Sequence, residues 1–179
     1  MTLARDLMVR DVITVPPNAS VADLIHRLDE STISGVPVVD EQETLVGVVS
    51  ARDVLRLARE LSDVPEAMRW GLAVSGPPKE TGLIDAPIEG EFFAYYVTPG
   101  GEFVDVRDRI RDVPTDSFSG YKVEDIMSPV PLTIHADATV QEVARFLHDH
   151  RIHRVLVVDS GRFVGIITTT DLLSEIAGS

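Results

Sequence analysis

The 179-residue chain predicts an α/β fold of the α+β type: two pseudo-symmetric β-α-β-β-α repeats packed on each other through their sheets, with an inserted helix and β-hairpin segment between them. Three observations carry this prediction. Residues 6–40 align with 125–159, and 45–55 with 163–173 once one residue is dropped from the intervening turn, with about one position in three identical. Each copy holds an apolar stripe at i, i+3, i+4, i+7, the mark of a helix with one buried face. Each also holds two short apolar runs joined by an acidic or glycine-bearing turn, the mark of a hairpin. The boundaries that follow are 1–59 for the first repeat, 60–120 for the insertion and 121–179 for the second repeat.

In chain order, residues 12–15 form a short β-prone segment, with 132–134 as its counterpart in the second copy. Asn18-Ala-Ser20 and Asp137-Ala-Thr139 then supply N-caps, whose side-chain oxygens accept hydrogen bonds from the first unpaired N–H groups of a helix. Val21, Leu24, Ile25 and Leu28 give that helix its buried face, as Val140, Val143, Ala144 and Leu147 do in the second copy. Segments 36–39 and 45–49 make the first hairpin, and 155–158 and 163–167 the second. Each copy closes with another helix, from Asp53 to about Glu60 and from Asp171 to about Ala177. A unit of about 55 residues buries too little apolar surface to be comfortably stable alone, so each copy needs the other.

Between the copies, residues 53–70 are helix-prone, with Pro65 as a break, and 74–87 read as loop. Glu91-Phe-Phe-Ala-Tyr-Tyr-Val97, Thr98-Pro-Gly-Gly101 and Glu102-Phe-Val-Asp-Val106 then spell strand, turn and strand. An aromatic strand apolar on both faces needs cover from the module, a second subunit or a partner. The Pro99-Gly-Gly101 tip has no lysine and no primed helix behind it, so it reads as a turn and not a phosphate loop. Arg107-Asp-Arg-Ile-Arg111 is a basic cluster, either a solvated face or a contact for a partner or a nucleotide phosphate.

Composition narrows the function. Lys+Arg 16 against Asp+Glu 29 gives a net charge of -13, which repels duplex nucleic acid, whose affinity comes largely from neutralised phosphates. With no cysteine there is no disulfide, thiol nucleophile or thiolate metal site, which fits a reducing cytoplasm. The N-terminus lacks the pattern of an export signal, and no apolar run approaches the roughly 18 residues of a membrane span, so no membrane insertion is expected. The chain carries no catalytic motif, neither Gly-x-Ser-x-Gly, nor His-Glu-x-x-His, nor a Walker loop, and a non-enzymatic role follows. His148-Asp-His150-Arg-Ile-His153 lacks the spacing to share one metal ion on a helix, and no metal site is expected.

Three pairs of matching segments carry a resemblance. Asp6-Leu-Met8 and Asp125-Ile-Met127 precede the first strands. Ser34-Gly-Val-Pro-Val-Val-Asp40 and His153-Arg-Val-Leu-Val-Val-Asp159 stand in the middle, and Gly47-Val-Val-Ser-Ala-Arg-Asp53 and Gly165-Ile-Ile-Thr-Thr-Thr-Asp171 at the end. The unit resembles the cystathionine-β-synthase (CBS) domain, and the tandem resembles the CBS pair, or Bateman module, over residues 3–59 and 121–178. The resemblance implies regulatory binding of an adenosine-containing ligand, AMP, ADP, ATP or S-adenosylmethionine, in clefts between the repeats. The residues themselves agree, because an ionised Asp53 or Asp171 can accept from both hydroxyls of a ribose beside the hydroxyls of Ser50, Thr168 and Thr170. The competing reading makes each Asp an ordinary helix cap.

The family arrangement also implies that each cleft draws on both repeats. One site would combine Val12, Ile13, Ile33, Ser34 and Pro37 with Thr168, Thr170 and Asp171; the other would combine Pro131, Leu132, Ile152, His153 and Arg154 with Ser50, Arg52 and Asp53. His153 and Arg154 would hold a phosphate or make a surface salt bridge. Arg52, standing where the second copy has Thr170, would either pair with phosphate or fill its cleft, so one or two occupied sites are both open. The resemblance further implies a homodimer and an effector protein that receives the signal. The rival reading is a ligand-free oligomerisation or interaction module working through the insertion.

Overall fold

The computed structural model describes residues 2–31, 33–61 and 115–178, and in addition the backbone of 95–97 and 103–105. Helix α1 (Ala4–Leu7) leads the chain, followed by α2 (Val21–Glu30), strands β1 (Gly35–Val39) and β2 (Leu45–Ser50), and α3 (Ala51–Glu60). Strands β3 (Tyr95–Val97) and β4 (Phe103–Asp105) come next. A 3₁₀ turn (Thr115–Phe118) leads into α4 (Val123–Ile126), β5 (Thr133–His135), α5 (Val140–Asp149), β6 (Arg154–Asp159), β7 (Arg162–Thr168) and α6 (Thr169–Ala177). The second half thus repeats the order of the first, with one added strand, β5.

The expected caps form. Ser20 Oγ accepts from the Asp23 N–H at 3.0 Å, starting α2. At α5 the arrangement is reciprocal: the Thr139 N–H and hydroxyl donate to Glu142 Oε2 at 2.8 and 2.9 Å, and the Glu142 N–H donates to Thr139 Oγ1 at 3.3 Å. These bonds to the charged form hold the Glu142 carboxyl below its ordinary value, the backbone bond foremost.

Strands β1 and β2 pair antiparallel, as do β6 and β7, and β5 joins β6 in parallel. The expected strand at 12–15 is reduced to one bridge, Val15 to Val38. The cause is chemical. In the second repeat Ala136 extends the pairing by donating to the Val158 carbonyl at 2.9 Å, whereas the matching residue of the first repeat is Pro17, which has no N–H. The hairpin expected at 91–106 is present as an antiparallel pair, Tyr95 with Asp105, Tyr96 with Val104 and Val97 with Phe103. The 53–70 helix beyond residue 61, the 74–87 loop, the Pro99-Gly-Gly101 tip and the 107–111 cluster lie outside the described residues.

Among the described residues there are two cores, one per repeat, and each takes in a leader from the other half of the chain. Val36, Val38 and Val49 of the first sheet pack with Leu24 and Leu28 of α2 and Val54 of α3; Phe118, Val123 and Ile126 complete that core. Val155, Val157 and Ile167 of the second sheet pack with Val143, Leu147 and Leu172; Ala4 and Met8 complete it. Backbone bonds tie the exchanged leaders down symmetrically. The Ala4 N–H donates to the Ala138 carbonyl at 2.7 Å and Val9 pairs with Ile166; the Val123 N–H donates to the Ala19 carbonyl at 2.9 Å and Ser128 pairs with Val48. The hairpin turns also meet, through the Thr44–Arg162 bridge and the Phe163 N–H on the Glu43 carbonyl at 3.0 Å.

Two glycines at matching positions permit this seating. A Cβ on Gly165 would stand 2.6 Å from the Val9 carbonyl oxygen and 3.1 Å from the Met8 side chain. One on Gly47 would stand 2.8 Å from Met127 Sδ and 2.9 Å from the Ser128 carbonyl oxygen. Backbone cannot yield as a flexible side chain can, so Gly165→Ala is expected to destabilise the fold by about 1–3 kcal/mol, read as a lower urea midpoint. Because the folded Glu142 carboxyl has a depressed pKa, its contribution is full above the unfolded carboxyl value and is lost as pH falls through the folded one. Glu142→Gln, which cannot titrate, is therefore expected to show a shallower loss of urea midpoint on acidification below the ordinary carboxylate range.

Candidate functional site

In both repeats the last strand runs into the closing helix with no loop. Ser50 ends β2 and caps α3, and Thr168 ends β7 and caps α6. Asp53 and Asp171 are therefore the third residues of their helices, not the first residues or the caps, because each helix starts two residues earlier than the periodicity suggests. Asp53 Oδ2 accepts from the Ser50 N–H at 2.8 Å and its hydroxyl at 2.7 Å. Asp171 Oδ2 accepts from the Thr168 N–H at 2.6 Å and its hydroxyl at 2.7 Å. One oxygen of each carboxylate is thus spent on the cap, which fixes where the other stands.

The start of each closing helix is also tied to the start of the hairpin. The Ala51 N–H donates to the Ser34 carbonyl and the Thr169 N–H to the His153 carbonyl, both at 2.9 Å. In the strand register Gly35 faces Ser50 and Arg154 faces Thr168. One corner therefore gathers Ser34, Ser50 and Asp53, and the other His153, Arg154, Thr168 and Asp171. Arg52 and Thr170, at matching positions, are both exposed.

The apolar candidates divide by burial. Pro37 is buried in β1, and Ile33 and Ile152 are half-buried against their own cores. Val12, Ile13, Pro131 and Leu132 lie on two connectors. Residues 10–14 pass from the bridge with Ile166 to the bridge with Val38, and 129–132 from the bridge with Val48 to the strand pairing with Leu156. At matching positions on these connectors, Ile13 is 40% and Leu132 45% exposed. A large apolar side chain left open at the same place in both repeats is an available wall for a flat aromatic ligand. Among the described residues, no hydrogen bond or strand bridge joins the Val12–Pro37 group to Thr168, Thr170 and Asp171, or the Pro131–Arg154 group to Ser50, Arg52 and Asp53.

One residue at the site escapes a reading based on the repeat. Arg56 Nη2 donates to Asp53 Oδ1 at 3.0 Å and to the Ile126 carbonyl at 3.1 Å. The spacing of three from Asp53 is visible in the sequence, but the partner in α4 is not. The matching residue in α6 is Ser174, and Asp171 Oδ1 has no hydrogen-bond partner among the described residues. Among the described residues no group of three or more His, Asp or Glu is placed to hold a metal ion, and no helix is long and apolar enough to cross a membrane.

Two repeats of this topology, each ending in a strand-to-helix Ser/Thr-x-x-Asp corner, define a tandem module. The CBS domain model matches residues 4–60 and 123–178, and the chain belongs to the CBS domain family, with the two copies forming a CBS pair, or Bateman module. It is 29% identical over 169 residues to the chloroplastic CBS domain-containing protein CBSX1 of Arabidopsis thaliana, covering 94% of this chain and 58% of that protein. With CBSX2 of the same plant it shares 26% over 155 residues, covering 86% of this chain and 54% of that one, so the chain spans little more than half the length of these two relatives. Protein YlbB of Bacillus subtilis is 26% identical over 178 residues, covering 98% of this chain and 83% of that protein. The crystal structure of CBSX2 in complex with AMP matches with a TM-score of 0.61 at 24% identity, over 99% of this chain and 98% of that one. The CBS domain pair of protein MJ0100 in complex with 5′-methylthioadenosine and S-adenosyl-L-methionine matches with a TM-score of 0.54 at 22% identity, over 99% and 98%. These likenesses establish the fold.

Because each Asp completes a capping box, its removal has a structural cost that is separate from any ligand. Asp171→Ala and Asp53→Ala are each expected to lower stability by about 1 kcal/mol while leaving the far-ultraviolet circular dichroism of a folded protein. Asp53→Ala should cost the more, since it also breaks the pair with Arg56; the urea midpoints rank the two.

Proposed function

We propose that the chain is a regulatory module that binds an adenosine-containing ligand, AMP, ADP, ATP or S-adenosylmethionine, between its CBS repeats and signals by conformational change to an effector protein. The observation that carries this reading is Asp171, whose Oδ2 is pinned by Thr168 while Oδ1 stands without a partner among the described residues. A carboxylate oriented in this way accepts from ribose hydroxyls without reorganising, which spares an ordering cost on binding. The AMP complex of CBSX2 and the S-adenosylmethionine complex of MJ0100 lend support from the same fold.

In this reading the site around Asp171 takes Thr168 and Thr170 from the second repeat and Val12, Ile13, Ile33, Ser34 and Pro37 from the first. The reciprocal site takes Ser50, Arg52 and Asp53 from the first repeat and Pro131, Leu132, Ile152, His153 and Arg154 from the second. A ligand held across both repeats favours one relative orientation over another, by no more than its differential affinity for the two. The module senses and does not catalyse.

A homodimer belongs to the same reading. Leu173 and Ile176, three apart on one face of α6, are 65% and 78% exposed, an apolar surface that a second copy would cover. The rival reading is a ligand-free oligomerisation or interaction module that works through residues 60–120 with its clefts empty.

Isothermal titration calorimetry with AMP, ATP and S-adenosylmethionine separates the two. Saturable heat with at least one of them, abolished by Asp171→Ala in folded protein, is the expected result. Absence of heat with all three would reduce both Asp residues to their part in the capping boxes and leave the joining role.

A further inference from the structure

We infer that the two clefts are unequal by construction: one ligand binds per chain, at Asp171, while Arg56 closes the Asp53 corner. The inference rests on the adenosine-binding reading above and says which of its two sites works. Both carboxylates spend Oδ2 on the cap in the same way. They differ at the other oxygen, the one a ribose would need. Asp171 Oδ1 is open among the described residues, whereas Asp53 Oδ1 already accepts from the Arg56 guanidinium at 3.0 Å.

An ion pair exposed on both sides would be a weak lock. Here only the arginine is exposed, at 59%; the Asp53 side chain is 13% exposed, so its charge is poorly served by water and depends on the partner it has. Arg56 is also held from a second side. The same Nη2 donates to the Ile126 carbonyl at 3.1 Å, a terminal carbonyl of α4, the leader helix that the second half of the chain lends to the first repeat. Both hydrogens of that nitrogen have acceptors, and Asp53, α3 and α4 are stapled together. A ribose hydroxyl is a neutral donor and would have to displace a charge-assisted bond, the stronger of the two kinds.

Among the described residues, no such staple is found in the second repeat. Ser174 stands at the position of Arg56 and Thr170 at that of Arg52, so no cation on α6 lies one turn from Asp171 to take up its free oxygen. The arginines at 52 and 56 thus put positive charge and bulk on the closing helix of one corner, whereas the closing helix of the other carries Thr170 and Ser174 at those positions. Departures from the repeat at two positions turn a two-site scaffold into a one-site sensor.

Calorimetry on the full chain, with AMP and S-adenosylmethionine as probes, tests this through stoichiometry. One site per chain is expected in the unaltered protein, lost in Asp171→Asn, which keeps a cap acceptor but not the charge, and retained in Asp53→Asn. The double variant R52T/R56S, which installs the residues of the second repeat, is expected to raise the stoichiometry to two. Two sites in the unaltered protein, loss of binding in Asp53→Asn with retention in Asp171→Asn, or a stoichiometry that stays at one in R52T/R56S would each overturn the inference. No heat from either probe in folded, unaltered protein would instead overturn the adenosine-binding reading, and this inference with it.

Discussion

The seating of each leader against the other repeat's sheet is the contact from which the module's geometry follows. Met8 and Val9 lie against Gly165 and Ile166, and Met127 and Ser128 against Gly47 and Val48. Each leader supplies apolar side chains to a core it does not belong to in sequence, and pairs with a strand there. Removing either would uncover buried apolar surface and leave strand N–H and carbonyl groups without partners, costs that a small core cannot absorb. Neither repeat is therefore complete within its own stretch of chain, and the two are held in one relation by mutual dependence.

That relation sets where the connectors run. Residues 10–14 and 129–132 must each cross from one sheet to the other, and in doing so they leave Ile13 and Leu132 open at matching places. The closing helices join their strands without a loop, which fixes where their carboxylates stand relative to the sheets. A molecule that touched a connector and a helix start at once would therefore report on how the repeats sit together. Coupling of binding to orientation needs no more than that.

The carboxylates show how a group that serves folding is also left with one oxygen held in a fixed place. A capping box uses one oxygen of Asp53 or Asp171, and the bonds from Ser50 or Thr168 aim the remaining one. The cap positions a reactive group at no extra cost, because the helix needs the cap in any case. Substitutions one turn further along the helix leave the cap untouched and change only what the second oxygen meets, as Arg56 and Ser174 do.

Much of this was legible in the residues. Periodicity marked α2 and α5, the paired apolar runs marked both hairpins, Ser20 and Thr139 marked the helix starts, and the internal repeat marked the architecture. These features depend on neighbours within a few positions, where chemistry and spacing act directly. The candidate carboxylates were legible as residues but not as geometry: that Asp53 and Asp171 are third in their helices depends on strands that run on without a turn. The exchange of leaders, the burial of Phe118 and the reach of Arg56 to Ile126 belong to the tertiary structure alone. A strand edge accepts any segment with free N–H and carbonyl groups and a fitting side chain, and a hydrophobic pocket accepts any apolar group of the right size. Local sequence thus determined that each repeat would form, and only the folded chain decided which leader completed which repeat.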